Sequence, residues 1–274
     1  MMFFIFSLKG IHTQANCGKV YKKGKLMAKI FGKEHIIYMI ISFAIIIAAL
    51  ILIKRFCKTE KAKKIAVKVS GAVQLVVVLL NNIFLYQWVH RIELVSLCGT
   101  ISLLFAIFVL VCKKDSSCLH FVTYTGLIAG LVATIYPTYL NQGPTIFFPS
   151  TITSLMHHSL TFYLAVLMLS LGYVVPDIKK WKAWPIGYCC LLVYGLFNIK
   201  IRGRADSMYI NNPVLAGTNL NWFYMGLLFL LAYTIFLIIF DAIKNKKDCF
   251  VIVACKNIKD KFKSQSKVDK SSSE

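Results

Sequence analysis

Seven apolar stretches, separated by short polar loops, constrain this chain more than any other feature. They run at about 35–53, 69–89, 94–112, 119–136, 152–175, 184–199 and 222–240. Each approaches the ~20 residues that a helix needs to cross the ~30 Å hydrocarbon core of a bilayer. The sixth is the shortest and lengthens if it starts at Trp181. A soluble fold does not repeat such stretches, because the outer faces of its helices have to meet water. The expected fold is therefore all-α, a polytopic membrane bundle of about seven transmembrane helices. A mean hydropathy of +0.67 points the same way.

Charge then sets the orientation. A net charge of +21 taken alone would suit nucleic acid. Here the basic residues are spread over loops and tails, so no nucleic-acid partner is expected. Seven Lys and Arg precede the first stretch, the six loops hold 7, 1, 2, 0, 3 and 3 in order, and the tail holds 9. The positive-inside rule puts the first loop (Lys54, Arg55, Lys58, Lys61, Lys63, Lys64, Lys68) and the tail in the cytoplasm. Seven spans then put the N-terminus outside, with 21 basic residues inside against 11 outside. The misfit is the basic start of the chain. It shrinks to Lys29 and Lys33 if translation begins at Met27, which is the expected start.

Three regions follow: a basic N-terminal segment (1–34), a transmembrane domain (35–243) and a basic cytoplasmic tail (244–274). The tail ends in KSQSKVDKSSSE, a composition that favours disorder. Its lysines and those of the first loop are placed to meet anionic lipid head groups. The expected location is the cell membrane, as a multi-pass protein. The nine cysteines show neither CxxC nor metal-ligand spacing, so no disulfide framework, metal or cofactor is expected. Cys112, Cys189 and Cys190 read as small apolar fillers. Gly126 and Gly130 form a GxxxG, which marks close helix packing.

With that topology the polar residues gather at the outer face. Asn81 and Asn82 end the second stretch, and Ser96 and Cys98 begin the third. Tyr136 ends the fourth, and Ser154, His157 and His158 begin the fifth. Asn198 ends the sixth, and the loop after it carries Asp206 and Tyr209. The inner halves are mostly Leu, Ile, Val and Phe. Polar side chains in lipid are costly unless they face a partner or a wet cavity. The set is therefore expected to line an outward-facing intramembrane pocket, against the alternative of hydrogen bonding between helices. The uncharged loop NQGPTIFFPST, bracketed by Pro137, Pro144 and Pro149, lies at its mouth.

Within that set Cys98 and His158 have the chemistry to react. At ~1.5 Å per residue they sit ~6 and ~9 Å below the outer edge of their spans. A thiol beside an imidazole is the minimal unit of acyl transfer: the histidine takes the proton and the thiolate attacks an ester carbonyl. Ser154, one turn before His158, is placed to orient the ring. Membrane lipids, a phospholipid or lysophospholipid among them, are the expected substrates. Two other readings stay open. One is a binder or transporter of a small or lipidic solute, and the other is a structural membrane protein. No Asp, Glu, Lys or Arg lies mid-span, whereas ion-coupled transporters usually keep one there.

Four motifs in the same order carry a family resemblance: ELVSLCGT with Cys98, FVTYTGLIAGLVATIYPTYL, TSLMHHSLTFY and DSMYINNP. Over about Leu94 to Phe240 the chain resembles the YwaF-like integral membrane proteins of bacteria, relatives of the eukaryotic transmembrane protein 164 family. The resemblance implies acyl transfer onto phospholipids, with Cys98 carrying the acyl group and His158 as the base. The chain departs at Ser96, where many relatives have His, and at Asp206-Ser207, where many have Asn-Tyr.

Overall fold

The computed structural model describes residues 30–89, 93–137, 145–214, 218–245, 250, 252–254 and 256. Met27, Pro144 and most of the basic tail lie outside the described residues. Each of the seven apolar stretches forms a helix: α1 Lys33–Phe56, α2 Glu60–Val89, α3 Leu97–Val111, α4 Ser117–Ile135, α5 Pro149–Ser170, α6 Ala183–Lys200 and α7 Trp222–Asn245. There is no strand among the described residues. By length and composition α1, α2, α4, α5 and α7 suffice to cross a membrane. Helix α3 is apolar but only 15 residues long, and α6 has 18.

Local chemistry decides where each helix starts and stops. Ser96 Oγ accepts the Gly99 N–H at 3.1 Å and starts α3. Ser116 Oγ accepts the Leu119 N–H at 3.4 Å at the start of α4, and Pro149 opens α5. Such caps and first-turn prolines satisfy or remove backbone donors that the helix itself cannot pair. The apolar run of α5 continues to residue 175, yet the helix stops at Ser170. Gly172 adopts φ +63°, the Gly172 N–H meets Leu169 O at 3.1 Å, and the Tyr173 N–H meets Met168 O at 2.8 Å. This pair of bonds closes a helix on a left-handed residue that suits glycine. Helix α2 errs the other way and begins at Glu60, ahead of its apolar part. Its basic first turns are good helix formers, and Thr59 Oγ1 accepts the Ala62 N–H at 3.2 Å. The sixth helix does not begin at Trp181. A 3-10 turn, Ile178–Lys180, capped by Asp177, precedes it.

The bundle is apolar outside, and its hydrophobic core is crossed by buried polar side chains. Only 6% of the apolar window of α1 is buried, and Ile40, Ile45, Ile51 and their neighbours are exposed. At roughly 25 cal/mol per Å², so much apolar surface opposes folding in water and suits lipid. Helix α5 touches α1, α2, α3 and α4, while α4 also carries α6 and α7. The GxxxG is a true close approach. A Cβ on Gly130 would lie 2.7 Å from Phe162 N and 2.9 Å from His158 O, and one on Gly126 would lie 2.9 Å from the Phe105 ring. Cys189 and Cys190 are exposed rather than filling the core. With Pro185, Ile186 and Val193 they line an apolar hollow on the outer face of α6.

Specific contacts fix the helix directions. Tyr38 meets Ser159 and Phe43 meets Phe162, so α1 and α5 run parallel. Gln74 meets Thr161 and Asn81 meets Ser154, so α2 runs against them. One end of the bundle therefore holds Ser96 and the start of α5, and the other holds the α3–α4 turn. Asp115, at φ +60°, organises that second end. Its carboxylate accepts from Lys180 Nζ and from the Val175 N–H at 2.9 Å, and lies 2.7 Å from His120 Nε2. Tyr233 OH donates to Lys180 O at 3.1 Å, which brings α7 into the same knot.

Candidate functional site

A polar stripe runs along the buried face of α5. Ser150, Ser154, His157, His158 and Thr161 repeat at helical spacing, so their side chains share one face, and each is buried to within 1%. Helices α2 and α3 pack on that face and supply the partners. Asn81 Oδ1 accepts from Ser154 Oγ at 2.9 Å and from Thr153 Oγ1 at 3.1 Å. About two turns further in, Gln74 Nε2 donates to His157 O at 3.1 Å and to Thr161 Oγ1 at 2.7 Å. From α3, Ser102 Oγ lies 3.2 Å from His157 Nδ1 and 2.8 Å from Thr161 Oγ1. The His157 and His158 rings pack together, centroids 3.9 Å apart and tilted by 40°.

Cys98 lies four residues before Ser102 on α3 and is half-buried. Residues four apart lie one above the other on a helix face, so Cys98 occupies the turn of α3 next to the one that meets the histidine pair. The contact between that pair and α3 is made by His157, through Ser102. Among the described residues, the buried Gln74 Oε1, Asn81 Nδ2, Ser150 Oγ and His157 Nε2 of this stripe and its partners meet no hydrogen-bond partner. Buried polar groups are nearly always paired, so each such atom calls for an explanation.

The other expected site residues sit at the same end but in different surroundings. Ser96 caps α3. Asn82 Nδ2 donates to Val78 O of its own helix at 2.9 Å. Tyr136 is exposed at the end of α4, 6.3 Å from the Phe31 ring. Asn198 is fully buried, donates to Ser207 Oγ at 3.2 Å and accepts from Arg202 at 3.1 Å. Ser207 Oγ and the Met208 N–H both reach Val95 O, at 3.0 Å and 3.1 Å. Asp206 Oδ1 accepts the Asn211 N–H at 2.9 Å, and Tyr209 O accepts the Trp222 N–H at 3.0 Å. These residues form a clasp that ties the loop after α6 to the chain leading into Cys98. Met208 and Tyr209 hold φ +56° and +59° in it, conformations that persist only where the surroundings enforce them.

Sequence reasoning missed several members of the layer. Gln74, Ser102 and Thr161 lie deeper than the helix ends, although the spacing of Ser154, His157 and Thr161 on one stripe was visible. His35 was also missed. It is buried, its Nδ1 accepts the Phe31 N–H at 3.2 Å, and Nε2 therefore carries the proton toward Thr134 O at 3.1 Å. Among the described residues, no three His, Cys, Asp or Glu side chains group to hold a metal ion.

The profile described as the TMEM164 family matches residues 30–240. No curated protein matches the chain, and no solved structure does.

Proposed function

The chain belongs to the TMEM164 family, and from that premise we propose that it transfers acyl groups between membrane lipids, or to water, through Cys98. In this reading all seven helices cross the cell membrane. The N-terminus lies outside, the C-terminus is cytoplasmic, and the basic loop after α1 rests against anionic head groups. The Ser96 end then faces outward and opens as a polar pocket to the outer leaflet. The observation that carries the reading is the buried His157–His158 pair, held against the helix of Cys98 by the 3.2 Å contact of His157 with Ser102.

The chemistry runs in two halves. Cys98 gives its proton to His158, and the thiolate attacks the carbonyl of a lipid ester. The ester C–O bond breaks, the leaving alkoxide takes the proton from the imidazolium, and the acyl group stays on Cys98 as a thioester. A lysophospholipid hydroxyl then gives its proton to His158 and attacks the thioester. The C–S bond breaks and the thiolate recovers the proton. With water as the acceptor the same steps make an esterase. His157, packed on His158 and fixed by Ser102, braces the reacting ring.

The test uses the full chain in membranes with a long-chain fatty-acid ester. Mass spectrometry should find the acyl group on Cys98. Cys98→Ala should abolish it, and His158→Ala should slow it by roughly 10²–10⁴. Full complementation of a deletion strain's lipid profile by Cys98→Ala would rule out thiol catalysis and leave lipid binding as the role of this layer.

A further inference from the structure

We propose that Asn81 is the oxyanion donor of this acyl transfer, so that the layer is built around an acyl carbonyl rather than around a lipid head group. The inference rests on the Cys98 reading above and assigns the residue that makes its first step feasible.

Three observations carry it. Asn81 is fully buried, and its carboxamide oxygen is occupied by Ser154 at 2.9 Å and Thr153 at 3.1 Å. The Ser154 bond turns the other end of the amide away from α5, while the single Thr153 hydroxyl hydrogen is shared with Pro149 O at 2.6 Å; that orientation is part of the proposal. The Nδ2 atom, which carries two hydrogens, is buried and meets no partner among the described residues. A buried amide N–H left unpaired is destabilising, and a ligand oxygen would remove that cost.

The third observation is register. On α5, Ser154 lies one turn before His157, toward the Ser96 end. On α3, Cys98 lies one turn before Ser102, in the same direction. Ser102 and His157 touch, so Cys98 shares a level with Ser154 and with Asn81, which is bonded to it. The three helices that carry these residues are in mutual contact. Thiol and unpaired amide N–H thus lie at one level of three packed helices, one turn from the histidine pair.

The chemistry needs a group of this kind. When the Cys98 thiolate attacks, the carbonyl π electrons move onto oxygen, and a negative charge appears where water is scarce. A fixed N–H donor stabilises that charge without taking part in proton transfer. When the tetrahedral intermediate collapses, the electrons return to re-form the carbonyl and the alkoxide leaves. Asn81 is unchanged through the cycle. Losing one such donor typically slows the reaction by roughly 10²–10³.

The experiment compares two reagents at the same sulfur, using the full chain in lipid nanodiscs. A 4-methylumbelliferyl fatty-acid ester acylates through an oxyanion. Iodoacetamide alkylates by direct displacement and forms none. Asn81→Ala should slow acylation of Cys98 by roughly 10²–10³ and leave its alkylation near the wild-type rate. If Asn81→Ala does not elute as a single folded species, Asn81→Leu keeps the volume and removes the donor. Equal slowing of both reactions makes Asn81 a packing residue and overturns the proposal. Unchanged acylation with the acyl group still on Cys98 overturns it while the Cys98 reading stands. No acyl group on wild-type Cys98 overturns both.

Discussion

Replacing Gly130 by Ala would push a methyl group into the backbone of α5. The added Cβ would lie 2.7 Å from Phe162 N and 2.9 Å from His158 O. Ordinary contact begins near 3.4 Å, so the two helices must part by about 0.7 Å, the shortfall from 3.4 to 2.7 Å. Both obstacles are main-chain atoms, so no side-chain rotation relieves the clash. Overpacking of this kind costs about 1–3 kcal/mol. The better helix preference of Ala returns about 0.5–1 kcal/mol. At the midpoints a net loss of roughly 1 kcal/mol remains, on the order of 2–4 °C in Tm for a chain of this size. The measurement is thermal unfolding of the purified protein in detergent micelles, followed by tryptophan fluorescence. Because the clash falls on the carbonyl of His158, acylation of Cys98 should fall as well. Gly172→Ala is the contrast. Nothing lies within 4 Å of its added Cβ, but φ is +63°, so it should lose about 1–2 kcal/mol and leave acylation intact. A Gly130→Ala protein that melts with the wild type would mean that α4 and α5 do not meet backbone to backbone at His158. The geometry argued for the polar layer would then fail.

Three further outcomes are expected. Burial pushes the Asp115 carboxyl up, but Lys180, the Val175 N–H and His120 outweigh it and hold the carboxyl below the usual carboxylate range. A carboxyl depressed in the fold stabilises it above the unfolded pKa of about 3.9. That stabilisation is lost as pH falls through the lower folded value. Melting curves should therefore drop below about pH 4, and Asp115→Asn should lower stability at neutral pH and flatten that drop. Gln74→Leu and Thr161→Val should couple by about 0.6 kcal/mol, up to ~1.7, in a double-mutant cycle; additive losses would show that the 2.7 Å bond contributes nothing. A reporter fused after Lys244 should work only in the cytoplasm, and activity solely outside would invert the proposed orientation.

The helices and the kind of surface they present were legible in the order of the residues. Lipid-length apolar runs leave few alternatives, since a helix is how a single segment pairs its own backbone in hydrocarbon. That order also placed Asn81, Cys98, Ser154, His157 and His158 at one end of the bundle, because alternating spans turn sequence position into depth. Helix ends were less legible: the stop at Gly172 is a backbone event inside an apolar run, and the start at Glu60 lies in a basic segment that hydropathy passes over. Which polar groups meet was decided only by tertiary structure. Depth carries no azimuth, so Asn198 and Tyr136 looked equivalent to Asn81. Packing turned Asn198 into the clasp beside Ser207, left Tyr136 exposed, and set Asn81 on Ser154. Gln74 and Ser102 joined the layer for the same reason. They lie deeper along their helices, and only the close approach of α2, α3 and α5 aims them at Thr161 and His157.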